Sequence, residues 1–203
     1  REEMQALAER VIACRQPGQT REIDLHCAGV QLTGWLPQVQ ADGLLRWRPS
    51  LPRVSQGMQL WLEHLVYCAS GGTGQSRLFL RKEEEWRFPP LDAEQALFYL
   101  AELVEGYRAG MAKPLLLLPE SGGAWIKACY DPVSDAILED EETLRKANGK
   151  FKQAWEGNMV VGGEGEDVWY QRLWRTLPVD DYPEIIAQAR RYLLPLFRFQ
   201  SSE

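Results

Sequence analysis

Three carboxylates in the early part of the chain, Asp24, Asp42 and Glu63, have the chemistry to assist a reaction at a phosphate. Carboxylates that converge on a Mg²⁺ ion hold it beside a water molecule, and the ion lowers the pKa of that water until it can attack. Asp24 stands between Ile23 and Leu25, so we expect it to face solvent, and Asp42 fits a tight turn. Surface and turn roles explain both aspartates, and a metal site made from the three carboxylates stays open as the alternative.

The other reactive side chains are scattered. His26 and His64 lie far apart with no nucleophile motif beside them, so we expect both to be structural. The glycine-rich stretches at 71–74 and 162–165 lack the Lys-Ser/Thr pair of a phosphate loop. The four cysteines form no C-x-x-C pair, and Cys27 and Cys68 occupy apolar positions typical of buried thiols in a reducing compartment. The sequence therefore predicts no metal, no cofactor and a cytoplasmic location.

The composition limits what the chain can bind. Its 23 Lys and Arg against 29 Asp and Glu give a net charge of −6. That balance argues against broad coating of DNA, which depends on clustered cations, but it is compatible with a local basic groove. The 45% hydrophobic content over 203 residues suits one sizeable core, and no apolar run is long enough for a membrane span. Because the chain opens at Arg1, we expect a fragment of a larger protein.

The spacing of apolar residues predicts the elements that position these side chains. Residues 3–14 have helical spacing. Alternating apolar and polar residues then predict a three-stranded meander, with turns at Ala28-Gly29 and Asp42-Gly43 and strands at 21–27, 30–36 and 44–48. A helix is predicted from its N-cap Ser55 to about Ala69. The first part of the chain is therefore predicted to be a helix, a meander and a second helix.

The remaining segments predict a hairpin, one more strand and several helices. Residues 77–88 read as the hairpin, and Asp92 is predicted to cap a helix whose inward face ends at Tyr107. Residues 115–118 are predicted to be a buried strand. Further helices are predicted in three places: one lined by Leu144, Ala147, Phe151 and Trp155, a short one at 168–174, and one that Pro183 opens and Pro195 stops.

The order of helix, meander and helix resembles the restriction-endonuclease-like nucleases. In their RecB-type branch the second strand ends in glycine-x-x-aspartate and the third carries aspartate-x-lysine, which hold Mg²⁺ and position the water. Here Gly34 to Pro37 and Leu45 to Arg48 stand at those places, followed by Gln59 and Glu63 in the next helix. Proline cannot ligate a metal, and Arg46 puts a cation where a carboxylate is needed. The degenerate positions Pro37, Arg46 and Arg48 thus imply a nuclease frame without its catalytic site.

A longer set of motifs points to one family. They lie within residues 32–80, around Gln56-Gly-Met-Gln-Leu-Trp-Leu-Glu-His, and continue at Glu120-Ser-Gly-Gly-Ala-Trp, Trp155-Glu-Gly-Asn, Trp169-Tyr-Gln-Arg-Leu-Trp and Leu193-Leu-Pro-Leu-Phe-Arg-Phe. With them the chain resembles, over essentially its whole length, the C-terminal domain of the RecC family, the gamma subunits of exodeoxyribonuclease V (the RecBCD helicase–nuclease). The resemblance implies a non-catalytic domain that serves double-strand break repair and recombination with the RecB and RecD subunits and with forked or single-stranded DNA.

Three groups of residues are candidates for these contacts. Arg46, Arg48 and Arg53 could line a groove for DNA, with Trp35 and Trp47 stacking on bases, or they could pair with nearby acids and pack in the core. The hairpin with Phe79 and Trp86 could be a wedge at a DNA fork or an ordinary edge hairpin. Trp155, Trp169 and Trp174 could dock another subunit or fill a core.

The leading hypothesis is thus an α/β domain of restriction-endonuclease-like fold that has lost its catalytic site. It would span residues 1–203, with a small mixed sheet and flanking helices in a core to about residue 120 and helical additions at about 121–203. Its expected role is subunit assembly and DNA strand guidance, and the isolated domain is expected to be monomeric. The alternative is a metal-dependent DNA nuclease with relocated carboxylates.

Overall fold

A computed structural model describes residues 2–174, 176–177 and 179–201. The chain divides into two compact units, one made of Arg1–Arg108 with Phe199–Glu203 and the other of Ala109–Arg198. The prediction of a single domain with a core to about residue 120 stays a prediction, because compactness does not decide which parts fold independently. In the described part of the chain, no helix is both long and apolar enough to cross a membrane.

The first unit is built on a five-stranded mixed sheet. Its elements are α1 (Glu2–Cys14), β1 (Gln19–Cys27), β2 (Val30–Gln40), β3 (Gly43–Trp47), α2 (Val54–Ala69), β4 (Gln75–Phe79), β5 (Glu85–Phe88) and the start of α3 (Ala93–Ala112). The strands lie in the order β1-β2-β3-β4-β5. The β3–β4 pair is parallel and the other three pairs are antiparallel. The predicted mixed sheet, the meander and the 77–88 hairpin are therefore confirmed.

Local sequence explains the meander. Ala28 and Gly29 both have positive φ, at 49° and 72°, which is the geometry of a tight two-residue hairpin turn. Gly43 has φ 128°, and a side chain there would overlap the backbone of Gln75 on the neighbouring strand. Only glycine fits this position, so the predicted Asp42-Gly43 turn also lets β3 and β4 come together.

Helices cover both faces of the sheet. On one face, Leu7 and Val11 of α1 pack with Leu45 and Phe79 in a buried cluster. On the other face, α2 reaches β4 through His64, whose ring hydrogen-bonds Ser76. Neighbouring residues of a strand point to opposite faces, so the side chains of β3 are divided between the two helices.

Helix α2 begins earlier than its predicted N-cap. It begins at Val54, and its N-cap is Arg53 rather than Ser55. The backbone N–H of Arg53 donates to Gln56 Oε1 at 3.1 Å. Gln56 therefore caps the start of the helix, a role that the sequence analysis did not assign to it. Gly57 and His64 of this helix are buried, whereas Leu62 is 45% exposed.

The second unit is mainly helical. Its elements are the end of α3, α4 (Pro119–Cys129), β6 (Tyr130–Asp131), β7 (Ala136–Ile137), α5 (Glu141–Glu156), α6 (Val168–Leu173), α7 (Tyr182–Tyr192) and α8 (Leu194–Phe199), whose last residue belongs to the first unit. The predicted inward stripe of α5 is confirmed in its centre, where Ala147 and Phe151 are buried. Short 3-10 turns lie at Glu164–Glu166 and Val179–Asp181.

The helix that Pro183 was predicted to open is confirmed as α7, and it ends at Tyr192, before Pro195. Pro195 does not stop helical structure altogether, since it lies in the first turn of α8, where a missing N–H costs little.

Two other predictions are wrong. Residues 115–118 form no strand, and only Leu118 among them is buried, because the run leads directly into α4, where Pro119 takes the first helical position. Tyr107 does not face inward and is 70% exposed.

Candidate functional site

A cleft in the first unit contains the positions that the nuclease pattern singles out. Its volume is about 350 Å³, and its walls come from the end of β2, from β3 and from the outer side of α2. The lining residues include all three degenerate positions and the two polar residues of the next helix: Pro37, Arg46, Arg48, Gln59 and Glu63. The sheet and helix thus bring together side chains up to 26 positions apart in the printed sequence.

Arg46 occupies the centre of this cleft. Its Nε donates to Glu63 Oε2 at 2.7 Å, and one terminal nitrogen donates to the backbone carbonyl of Pro37 at 2.9 Å. The side chains of Arg46 and Glu63 are only 21% and 25% exposed. A half-buried carboxylate therefore has a fixed cation as its partner, and the same guanidinium also bonds the backbone of β2 at Pro37.

Arg48 extends the same face of β3. Its terminal nitrogen donates to Gln59 Oε1 at 2.7 Å, and the arginine is exposed at the mouth of the cleft. Trp47 lies between the two arginines and is 47% exposed. By strand alternation its side chain lies on the opposite face of β3, so a base stacked on it would not rest between Arg46 and Arg48.

The residues of this cleft do not fit a divalent metal. Glu63 is its one carboxylate, and that group is bound to Arg46. Asp24 lies exposed on β1, where its carboxylate accepts a hydrogen bond from Gln31, and Asp42 lies in the exposed turn before β3. Among the described residues, no three or more His, Cys, Asp or Glu side chains are grouped so that they could hold a metal ion.

Two further predicted DNA contacts lie outside the lining of the cleft. Trp35 is 68% exposed on β2, directly opposite Glu22 of β1. Arg53 is exposed at the start of α2. Both side chains are accessible, but Trp35 has an acidic neighbour, which opposes an approaching phosphate.

The hairpin aromatics are core residues. Phe79 is 1% exposed, and the guanidinium groups of Arg10 and Arg77 lie 4.4 and 4.5 Å from its ring centre. Trp86 is 8% exposed, its indole N–H donates to the Arg53 carbonyl, and its ring fills the space beside Gly57. This burial favours the ordinary hairpin over a wedge that stacks on DNA bases.

His64 is structural, as predicted. It is fully buried on α2, with Nδ1 2.7 Å from the Ser76 hydroxyl and Nε2 2.9 Å from the Pro89 carbonyl. The carbonyl can only accept, so Nε2 carries the hydrogen and Nδ1 accepts from Ser76. Burial lowers the pKa of His64 to about 4.

The cysteines also match their prediction. All four are free thiols, and Cys27 and Cys68 are buried. Burial raises the pKa of both of these thiols. The two groups are therefore neutral packing residues rather than reactive thiolates.

The three candidate docking tryptophans have different environments. Trp155 and Trp174 are half-buried on either side of Tyr170, at ring-centre distances of 6.2 and 6.0 Å. Trp169 is 66% exposed, with the guanidinium of Arg172 5.0 Å from its ring centre. Trp169 is thus the member of the set whose ring is available to another molecule, and the other two support the surface behind it.

Two features of this region were missed by the sequence reasoning. Glu164 accepts hydrogen bonds from the backbone N–H groups of Glu120 and Ser121, at the start of α4, and burial raises its pKa. The local sequence could not predict this contact, because it joins segments more than 40 residues apart. Met159 and Val160 are almost fully exposed on the segment between Gly157 and Gly162. The glycines on either side could have predicted this exposed loop from the sequence.

Comparisons with known proteins identify the family. Residues 1–130 match the family described as the RecC C-terminal domain. The chain is similar to the RecBCD enzyme subunit RecC of Escherichia coli (strain K12), with 71% identity over 201 residues that cover 99% of this chain and 18% of that protein. It is 34% identical to the RecBCD enzyme subunit RecC of Buchnera aphidicola subsp. Acyrthosiphon pisum, over 97% of this chain and 18% of that protein.

The chain therefore spans less than one fifth of the length of these relatives. The matches run through the cleft residues and both compact units. The resemblance in the sequence is confirmed: the chain belongs to the RecC C-terminal domain family.

Proposed function

We propose that this chain is a non-catalytic domain of a RecC-type subunit, and that it serves subunit assembly and DNA strand guidance in double-strand break repair and recombination. The observation that carries the proposal is the hydrogen-bonded position of Arg46 between Glu63 and the Pro37 carbonyl. A guanidinium at that place satisfies the carboxylate and repels a divalent cation. Such a DNA-processing subunit would work in the cytoplasm.

The proposal includes a restriction-endonuclease-like origin of the fold. A helix, an antiparallel meander and a second helix follow one another in the order that the nuclease pattern requires. The degenerate positions line one cleft, with Pro37 on β2, Arg46 on β3 and Arg48 directly after β3. Their convergence supports descent from a metal-dependent site.

DNA strand guidance is assigned to the exposed basic rim of the cleft. Arg48 is exposed at the mouth of the cleft, Arg53 is exposed outside its lining at the start of α2, and Trp47 is 47% exposed on the opposite face of β3. Arg46 is held by Glu63 and serves the architecture of the cleft rather than a phosphate. Trp35 stays a weaker candidate because Glu22 lies opposite it, and the burial of Phe79 and Trp86 removes their support as stacking residues.

Subunit assembly is assigned to the surface around Trp169. Its exposed apolar neighbours along the chain are Val160, Val161, Val168 and Leu173. Large apolar side chains that stay exposed in a compact unit are typical of a protein interface. The partners proposed for this surface are the RecB and RecD subunits, which the name of the relatives implies.

A cleavage assay tests the absence of catalysis. The subunit that carries this sequence would be assembled with a RecB partner whose own nuclease site has been inactivated, and incubated with DNA and Mg²⁺ or Mn²⁺. We expect no metal-dependent cleavage from the assembly. Cleavage that disappears in Asp24→Ala or Glu63→Ala would instead establish the alternative, a nuclease with relocated carboxylates. Arg48→Ala, which leaves every carboxylate in place, is the matched control.

A further inference from the structure

The middle of the outward face of α5 carries four cations, between the exposed acidic residues Glu141 and Glu142 at the start of the helix and Glu156 at its end. Arg145, Lys146, Lys150 and Lys152 are all exposed, on a chain whose net charge is −6. No Asp or Glu stands between residues 143 and 155, which amounts to about three turns of helix without an acidic neighbour in the sequence. The apolar residues of the helix face inward, so all four cations are presented to solvent.

Contacts within the protein do not neutralise this charge. Arg145 and Lys146 form no hydrogen bond or ion pair with any residue that the structure describes. Lys150 donates to the uncharged side chain of Gln153, and Lys152 lies 3.8 Å from Glu156 with both groups largely exposed. Exposed pairs at that distance contribute little, so the part of the face between Glu142 and Glu156 stays positive, whereas its two ends are acidic.

Gly149 lies in the middle of this face. A glycine inside a helix lowers its stability relative to alanine, and here a Cβ atom would meet nothing within 4 Å. No packing contact in the described part therefore requires glycine. Its position, four residues after Arg145 and three after Lys146, leaves bare backbone between the cations, where a ligand can approach closely.

A cleft with aromatic walls lies beside the cations. Its volume is about 620 Å³, and its lining includes the aromatic residues Phe151, Trp155 and Tyr182, the cation Lys152 and one acidic residue, Glu156. The rings of Trp155 and Tyr182 are half-buried, so part of each is accessible from the cleft. Cations along a ridge and aromatic rings in the adjacent groove suit a polymer with phosphates on one edge and flat bases on the other.

We propose that this face of α5 and the cleft beside it bind single-stranded DNA. The four cations contact the phosphates, and Trp155 and Tyr182 stack on bases. The choice of DNA over an acidic protein segment rests on the proposed function. The site itself differs from the one proposed above, because the cleft at Arg46 lies in the other compact unit.

Photo-crosslinking in the assembled enzyme tests the proposal. Benzoylphenylalanine replaces Gln153, which is exposed on α5, and the enzyme is bound to a forked DNA with single-stranded tails. We expect a crosslink to a tail, reduced several-fold by Arg145→Gln with Lys146→Gln. The matched control is Lys113→Gln with Lys127→Gln, which changes the net charge equally at two exposed residues outside this face and should leave the yield unchanged.

Several outcomes would overturn the inference. A crosslink from residue 153 to another subunit would make this face a protein interface, and a crosslink to the duplex part of the fork would contradict a single-stranded ligand. Benzoylphenylalanine at Gln59, which is exposed and lines the cleft at Arg46, reports separately on that cleft. If that probe reaches DNA and the one at residue 153 does not, this inference fails and the proposed strand guidance stands. If neither reaches DNA, both fail.

Discussion

Arg46 holds together polar groups from two neighbouring elements of the cleft. Its guanidinium binds a half-buried carboxylate and a backbone carbonyl, both of which lose their donor if the arginine is removed. An unpaired polar group costs more in such a place than on the surface, because water reaches it poorly. Arg46 is therefore expected to stabilise the cleft.

Removing Arg46 should destabilise the protein. We expect Arg46→Met to lower the free energy of unfolding by about 1–3 kcal/mol, measured by urea denaturation, because Glu63 and the Pro37 carbonyl lose their donor. The control is Arg48→Met, which removes a single exposed hydrogen bond to Gln59 and should cost about 0.5 kcal/mol or less. In Arg46→Met with Glu63→Leu the loss should be smaller than the sum of the single losses. Strict additivity would contradict the pairing.

His64 should make the stability depend on pH. Its pKa in the folded protein is about 4 against an ordinary 6.5, so the unfolded chain binds the proton first as the pH falls. The stabilisation from neutral His64 is complete above about pH 6.5 and is lost as the pH falls towards 4. That loss amounts to roughly 3 kcal/mol. Urea denaturation across this range should show it in the wild type and in His26→Gln. If His64→Gln keeps the same slope, His64 is not its source.

At the scale of elements, α2 connects the cleft to the core. Its outer side presents Gln59 and Glu63 to the cleft, whereas Gly57 and His64 face the sheet. Gly57 lets the ring of Trp86 lie against the helix backbone, since a Cβ atom there would come within 2.6 Å of the ring. The packing of α2 against Trp86, and with it the position of Glu63, thus depends on the missing side chain of Gly57.

Two glycines in helices should respond to alanine in opposite ways. Gly57→Ala should lower the free energy of unfolding by about 1–3 kcal/mol, because the methyl group displaces Trp86. Gly149→Ala on α5 should raise it by about 0.5–1 kcal/mol, because its Cβ meets nothing within 4 Å and alanine favours the helix. Thermal and urea unfolding would measure both. A stabilised Gly57→Ala protein would show that Trp86 does not pack against α2 as described.

At the scale of the whole molecule, the two compact units carry different proposed tasks. The cleft with Arg46 lies in the first unit, and both the apolar surface around Trp169 and the basic face of α5 lie in the second. The chain also covers less than one fifth of the relatives' length, so the proposed partners must be judged in the assembled enzyme. Assembly and stability can be separated there, because the candidate docking residue is exposed.

Trp169→Ala should weaken assembly without weakening the fold. We expect its affinity for a partner subunit to fall about tenfold or more, which corresponds to about 1.4 kcal/mol, because a large aromatic side chain leaves the interface. The free energy of unfolding should change by less than about 0.5 kcal/mol, since the side chain is 66% exposed. Calorimetric titration measures the affinity, and Phe98→Ala, at a residue 61% exposed in the first unit, is the control. Equal affinity for both variants would contradict docking at Trp169.

The sequence alone determined what depends on near neighbours. Alternation and the Ala28-Gly29 and Asp42-Gly43 turns were enough to predict the meander, since strand period and turn geometry are properties of a few consecutive residues. The sequence also singled out Pro37, Arg46 and Arg48 as degenerate nuclease positions, because residue type is known before position, and the loss of catalysis inferred from them stays a prediction. The apolar run at 115–118 led to a wrong prediction, because its composition suits a strand whereas pairing needs a second strand that the local sequence does not reveal. In the structure, residues 115–118 pair with no described strand.

Tertiary structure decided which distant groups meet. The parallel pairing of β3 with β4 joins strands on either side of α2, and the Arg46–Glu63 contact crosses 17 residues. The sequence could not predict that Phe79 and Trp86 are buried and that Trp169 is exposed. An aromatic residue has the same local sequence pattern in a core and on an interface. Packing selects between these outcomes, since it depends on which surfaces of the folded chain remain to be covered.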